Sequence, residues 1–87
     1  MAARYRVEFK PSAAKAVEKL PRPAQRQVVA AAEALGDNPR PDGCRKLEGE
    51  PDLYRVRVGD YRLVYAVRDR VLLVLIVRVG HRRDVYR

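Results

Sequence analysis

Three arginines, Arg55, Arg57 and Arg62, stand at a spacing suited to gripping an anion. They fall in the run from Tyr54 to Arg62, which reads as two strands joined by a two-residue turn at Gly59-Asp60. That turn pairs Val58 with Tyr61, Arg57 with Arg62, Val56 with Leu63, Arg55 with Val64 and Tyr54 with Tyr65. Strand side chains alternate between faces. Tyr54, Val56, Val58, Tyr61, Leu63 and Tyr65 therefore share an apolar face, and the three arginines share the other. Arg57 then lies directly across from Arg62, a placement of like charges that destabilises a sheet. A bound anion would account for it.

Beyond the hairpin, the segment His81-Arg82-Arg83-Asp84-Val85-Tyr86-Arg87 follows an apolar run and holds further reactive types. His81 is the chain's one histidine and the one side chain whose ordinary pKa lies near neutrality, so it is a candidate acid or base. Its bland reading is an exposed turn residue after Gly80. Tyr86 could stack on a base or simply anchor the tail. With one His, one Cys and no clustered carboxylates on the basic face, no metal-ligand set is expected. Any phosphodiester chemistry would then be metal-free and clamped by arginine.

The elements that must position these residues are legible from periodicity. Arg4 to Lys10 alternates as a half-buried strand, with Tyr5, Val7 and Phe9 on one side. Pro11 and Ser12 open a short helix, with Ser12 as the expected N-cap and Ala13, Ala16, Val17 and Leu20 as its stripe. Pro21-Arg22-Pro23 starts a second helix running to about Leu35, with Ala24, Val28, Ala31 and Leu35 inward and Gly36 as its stop. Residues 37–52 have no periodicity and read as a long connection pinned by Leu47. Strands at about 53–58 and 61–68, a turn near Asp69 and a last strand from Val71 to Val79 complete the chain. The last run is apolar on both faces until Arg78, which suggests a central, covered strand.

The expected architecture is α+β: an N-terminal strand, an αα-hairpin and a three-stranded antiparallel meander. Together these make a four-stranded sheet with the helices on one face. The 87 residues suit a single domain, 1–87. The lone Cys44 permits no internal disulfide, and there is no charged-then-apolar leader, so a reducing cytoplasm is expected. The apolar run from Val71 to Val77 is far shorter than the ~20 residues of a membrane span. The net charge of +8 is uneven. Residues 1–52 hold ten Lys/Arg against eight Asp/Glu, whereas residues 53–87 hold nine arginines against three aspartates. Arginine's planar fork matches phosphate oxygens, so nucleic acid is the expected partner class.

Three segments carry a family resemblance: Lys46-Leu47-Glu48-Gly49, the stretch from Tyr54 to Tyr65, and the stretch from Val79 to Tyr86. With the element order, they make the chain resemble the RelE/ParE toxin superfamily, the RelE branch in particular. That resemblance implies a toxin of a type II toxin–antitoxin system, a ribosome-dependent endoribonuclease that cuts mRNA in the A site. It implies a cognate antitoxin, the ribosome and mRNA as partners, with no membrane and no small-molecule cofactor. The family's functional positions match Arg55, Arg57, Arg62, Arg82 and Tyr86. Some relatives have lysine where this chain has Arg55 and Arg57, and the spacing from arginine to the terminal tyrosine varies.

Cleavage by 2′-hydroxyl attack needs a base, charge stabilisation at phosphorus and an acid for the leaving oxygen. Arg62 and Arg57 are assigned to the scissile phosphate, Arg55 to a neighbouring phosphate and Arg82 to the leaving oxygen. Arg83 is a further RNA contact. Arginine's high pKa keeps Arg55 and Arg57 from serving as the base. Two rivals stand beside this reading: a ParE-like gyrase inhibitor with the same fold, and a non-catalytic RNA-binding or degenerate toxin.

Overall fold

A computed structural model describes residues 4–81, in the order β1 (Arg6–Phe9), α1 (Pro11–Glu18), α2 (Arg22–Asp37), β2 (Arg45–Lys46), β3 (Leu53–Val58), β4 (Tyr61–Arg68), a 3₁₀ turn (Asp69–Val71) and β5 (Leu73–His81). The strands form one sheet in the order β1-β5-β4-β3-β2. β1 runs parallel to β5, and every other neighbouring pair is antiparallel. This is the expected α+β arrangement with one strand added. β2 is only two residues long, too short for any sequence period, and exists because Arg45 and Lys46 pair with Arg55 and Tyr54.

The helices cover one face of the sheet. Ala13 of α1 and Val28, Ala32 and Leu35 of α2 pack against Val58, Leu63, Tyr65, Val67, Val74, Ile76 and Val79. Leu63, Tyr65, Val28, Val74 and Ile76 have no exposed surface. Fully burying each such side chain contributes roughly 1.5–3 kcal/mol, so this seam is what holds the helices on the strands. The hairpin pairs in the register read from its sequence, Arg57 with Arg62 and Tyr54 with Tyr65 included. Gly59 sits at φ +58° while Asp60 keeps a negative φ, the tight arrangement that favours glycine first.

Three local readings are corrected. Ser12 lies inside α1, whose cap is Lys10 with no side-chain hydrogen bond. Gly36 does not stop α2; it is a buried residue of the helix, which runs to Asp37. It is glycine because β1 crosses there: an added Cβ would lie 2.9 Å from the Tyr5 carbonyl oxygen. The Tyr5 N–H donates to the Gly36 carbonyl at 2.8 Å. Ala31 packs half-buried against the core as expected, and its neighbour Ala32 is fully buried.

The third correction concerns the last strand, which starts and ends two residues later than its apolar run suggests. Gly80 and His81 are therefore inside β5. The strand is central, as expected, and a register irregularity sits where Val64 pairs Arg78 but Tyr65 pairs Ile76. Val77 is the extra residue of this bulge. It allows both Ile76 and Val79 to face the core and turns Arg78 to the face away from the helices. On that face Val64 and Ala66 are buried, while Leu73, Leu75 and Val77 are half-buried. No helix among the described residues is long and apolar enough to cross a membrane.

Candidate nucleic-acid interface

The face opposite the helices carries the site. The β3–β4 register places Arg57 beside Arg62, and β2 places Arg45 beside Arg55. These four arginines, with Gly43 and Val56, line one open cleft of about 390 Å³. Arg55 and Arg62 are half-buried, whereas Arg45 and Arg57 are exposed. Across β4, the partner of Arg62 is Gly80, which has no side chain to cover the guanidinium from the β5 side. Among the described residues, no acidic side chain lines the cleft.

A second hollow of about 220 Å³ continues along the same face, lined by Leu47, Glu50, Leu53, Arg55, Val64, Val77 and Arg78. Arg55 belongs to both hollows, so the arginine cleft grades into a more apolar trough with Arg78 on its far side. Sequence reasoning missed Arg45 and Arg78. Arg45 sits in a strand too short to show alternation. The side on which Arg78 emerges depends on the bulge and on the irregular turn before β5, neither of which has a sequence period.

The structure therefore brings together Arg55, Arg57 and Arg62. His81 is not with them. It pairs with Tyr61 on the apolar side, where the two rings meet edge to face at 5.8 Å and 79°. Strand alternation thus separates it from the Arg57–Arg62 row, and it is a strand residue rather than a turn residue. Arg82, Arg83 and Tyr86 lie outside the described residues. Among the described residues, no three His, Cys, Asp or Glu side chains gather as metal ligands.

A polar clasp at the opposite end of the hairpin holds the 38–44 connection in place. Arg40 donates through both terminal nitrogens to the Asp69 carboxylate, at 3.2 and 2.8 Å, and through Nε to the Tyr54 hydroxyl at 3.1 Å. Its guanidinium also lies 5.2 Å from the Tyr54 ring centroid. Tyr5 donates to Asp69 at 2.5 Å, and Tyr65 donates to the Pro39 carbonyl at 2.9 Å. Hydrogen bonds from Arg40 and then Tyr5 hold the Asp69 carboxyl below its ordinary pKa. The same contact with Asp69 raises that of Tyr5, and burial pushes the Tyr65 phenol well up. The clasp fixes the chain just before Gly43 and Arg45, so it helps set one wall of the cleft.

Comparison with known proteins bears on the fold and the family. The family model for the ParE toxin of type II toxin–antitoxin systems matches residues 7–86. The chain belongs to that family. Within the RelE/ParE superfamily it falls in the RelE-like branch. This RelE-like chain is 38% identical over 87 residues to a RelE-like toxin protein of Escherichia coli, covering 95% of this chain and 90% of that one. It is 33% identical to the mRNA interferase toxin RelE of Escherichia coli K12, covering 94% and 90%. Its fold matches the toxin of the Mycobacterium tuberculosis RelBE2 toxin–antitoxin complex with a TM-score of 0.84 at 32% identity, over 97% of this chain and 98% of that one. The archaeal RelE–RelB complex of Pyrococcus horikoshii matches with a TM-score of 0.82 at 32% identity, over 93% and 98%. The RelE-like chain thus belongs to a family of type II toxins, and the two solved neighbours are toxin–antitoxin complexes.

Proposed function

We propose that residues 1–87 act as one cytoplasmic toxin domain that cuts mRNA in the ribosomal A site by attack of a 2′-hydroxyl on the adjacent phosphorus. The observation that carries this reading is the arginine cleft, where β3 and β4 hold Arg57 against Arg62 with Arg55 beside them. Like charges opposed across a ladder cost stability, and a phosphate between them reverses that cost. The relatives named mRNA interferase support RNA as the substrate.

In the proposed reaction the 2′-oxygen bonds to phosphorus as the bond to the 5′-oxygen breaks, leaving a cyclic phosphate on the upstream strand. Arg62 and Arg57 neutralise the charge that builds on the non-bridging oxygens. Arg55 holds a neighbouring phosphate, Arg82 faces the leaving oxygen, Arg83 adds an RNA contact and Tyr86 stacks on a base. Arginine remains protonated throughout, so the cleft supplies charge and position rather than a base. The place of His81 against Tyr61 lends no support to an acid–base role. Orientation of the mRNA by the ribosome can lower the barrier by about 7 kcal/mol or more in favourable cases, which offsets an incomplete acid–base set. The antitoxin silences the toxin by covering the arginine face or by displacing the 81–87 tail.

The test adds the purified chain to a reconstituted translation reaction and maps mRNA ends by primer extension. Cuts should fall in the A-site codon, and Arg62→Ala and Arg82→Ala should each abolish them. Unaltered cutting by both variants removes the site assignment. The ParE description of the matching family model favours one second reading, inhibition of DNA gyrase. Expression that stops replication while translation continues would select it.

A further inference from the structure

We propose that Arg45 and Arg55 form a second phosphate clamp, so that the cleft grips two consecutive phosphates of a single strand. This rests on the reading of the cleft as an RNA site and extends it to a residue that the reading does not use. β2 pairs with β3 so that Arg45 lies directly across from Arg55, as Arg62 lies across from Arg57. The cleft thus contains two cross-strand arginine pairs rather than three separate arginines.

The two pairs are offset along β3 by two residues, about 6.6 Å at a strand's rise. That offset is of the same order as the repeat between consecutive phosphates of an extended single strand. Within each pair the guanidinium groups stem from neighbouring strands about 4.8 Å apart, close enough to fork onto one phosphate from both sides. Gly43, at φ +90°, lines the same cleft. A Cβ built on Gly43 would meet nothing within 4 Å.

Nothing in the fold requires arginine at position 45. β2 is an exposed edge strand, and Arg45 makes no ion pair among the described residues. Opposing a second arginine to Arg55 repeats the electrostatic cost found at Arg57 and Arg62. A phosphate shared by Arg45 and Arg55 would offset that repulsion. Single-stranded RNA is the ligand class that presents phosphates in such a row.

The test uses oligouridylates with 2′-deoxy sugars at every linkage, which block cleavage, carrying one, two or three phosphodiesters. Their affinity for the full chain is read by NMR titration at several salt concentrations. The unaltered protein should gain affinity with the second phosphate, and the slope of log affinity against log salt should steepen by about 0.7. Arg45→Ala should reduce that gain about 5- to 10-fold, and Arg45→Lys should recover part of it. Arg62→Ala should instead weaken all three probes together. The clamp is overturned if the unaltered protein gains nothing from the second phosphate. It is equally overturned if Arg45→Ala weakens the one-phosphate probe as much as the two-phosphate probe, or changes neither. Cleavage on the ribosome is a separate readout. A chain with the two-step affinity that cuts no mRNA would defeat the nuclease reading and leave the second clamp standing.

Discussion

Gly36 shows how a single residue can reverse a propensity rule. Alanine inside a helix is ordinarily favoured over glycine by up to about 1 kcal/mol. Here the added carbon would stand 2.9 Å from a backbone oxygen of β1, and a backbone cannot step aside as a side chain can. Gly36→Ala should therefore destabilise the fold by about 1–3 kcal/mol, lowering Tm by several degrees in thermal denaturation. A Tm equal to or above the wild type would mean that α2 and β1 separate without cost. The cleft arginines pose the opposite case. Their pairing sets like charges across the ladder, and Arg45 joins them because a two-residue strand reaches Arg55.

At the scale of elements, the β3–β4 hairpin carries a cost that the proposed phosphate contact would offset. Its helix-side face is ordinary core, with Leu63 and Tyr65 fully buried. Its other face opposes Arg57 to Arg62. Replacing Arg57 with threonine keeps strand propensity and removes one of two like charges, a pair term of about 0.2–1 kcal/mol. Arg57→Thr is expected to raise Tm by up to about 5 °C in low salt while weakening the proposed RNA cleavage, and the gain in Tm should shrink as salt is added. Thermal melts across a salt series check it. A lower Tm at every salt concentration would show that Arg57 is needed for the fold itself.

Across the whole molecule, the Arg40 clasp joins segments far apart in sequence: Tyr5 to Asp69 across 64 residues, Arg40 to Asp69 across 29 and Arg40 to Tyr54 across 14. Its charge makes that closure depend on pH. The folded state holds the Asp69 carboxyl below the ordinary value of 3.8, with the bonds from Arg40 and Tyr5 as the cause. The unfolded chain therefore takes up the proton first as pH falls. The clasp's contribution is complete above the ordinary carboxylate range and disappears as pH drops through and below it. Asp69→Asn should melt below the wild type at pH 7, and the gap should close as pH falls from about 5 to about 2. A gap of constant size would assign the clasp to packing alone. At alkaline pH the sign reverses, because Tyr5 and Tyr65 resist ionisation in the fold. Their contribution is lost as pH rises past the ordinary tyrosine value of 10.0.

The hairpin, its register and the three arginines on one face were all decided by the chain itself. A two-residue turn leaves a single pairing, and a period of two then assigns every side chain to a face. The helices were legible through their apolar stripes, though the roles of Ser12 and Gly36 were not, since a cap and a close crossing depend on where neighbouring elements lie. Only the tertiary structure decided that β2 exists, that Arg45 completes a second arginine pair, that the Val77 bulge turns Arg78 outward, and that His81 rests on Tyr61 away from the cleft. These features come from contacts between segments distant in sequence. Local periodicity records how a strand alternates, but not which strand it will meet or in what register.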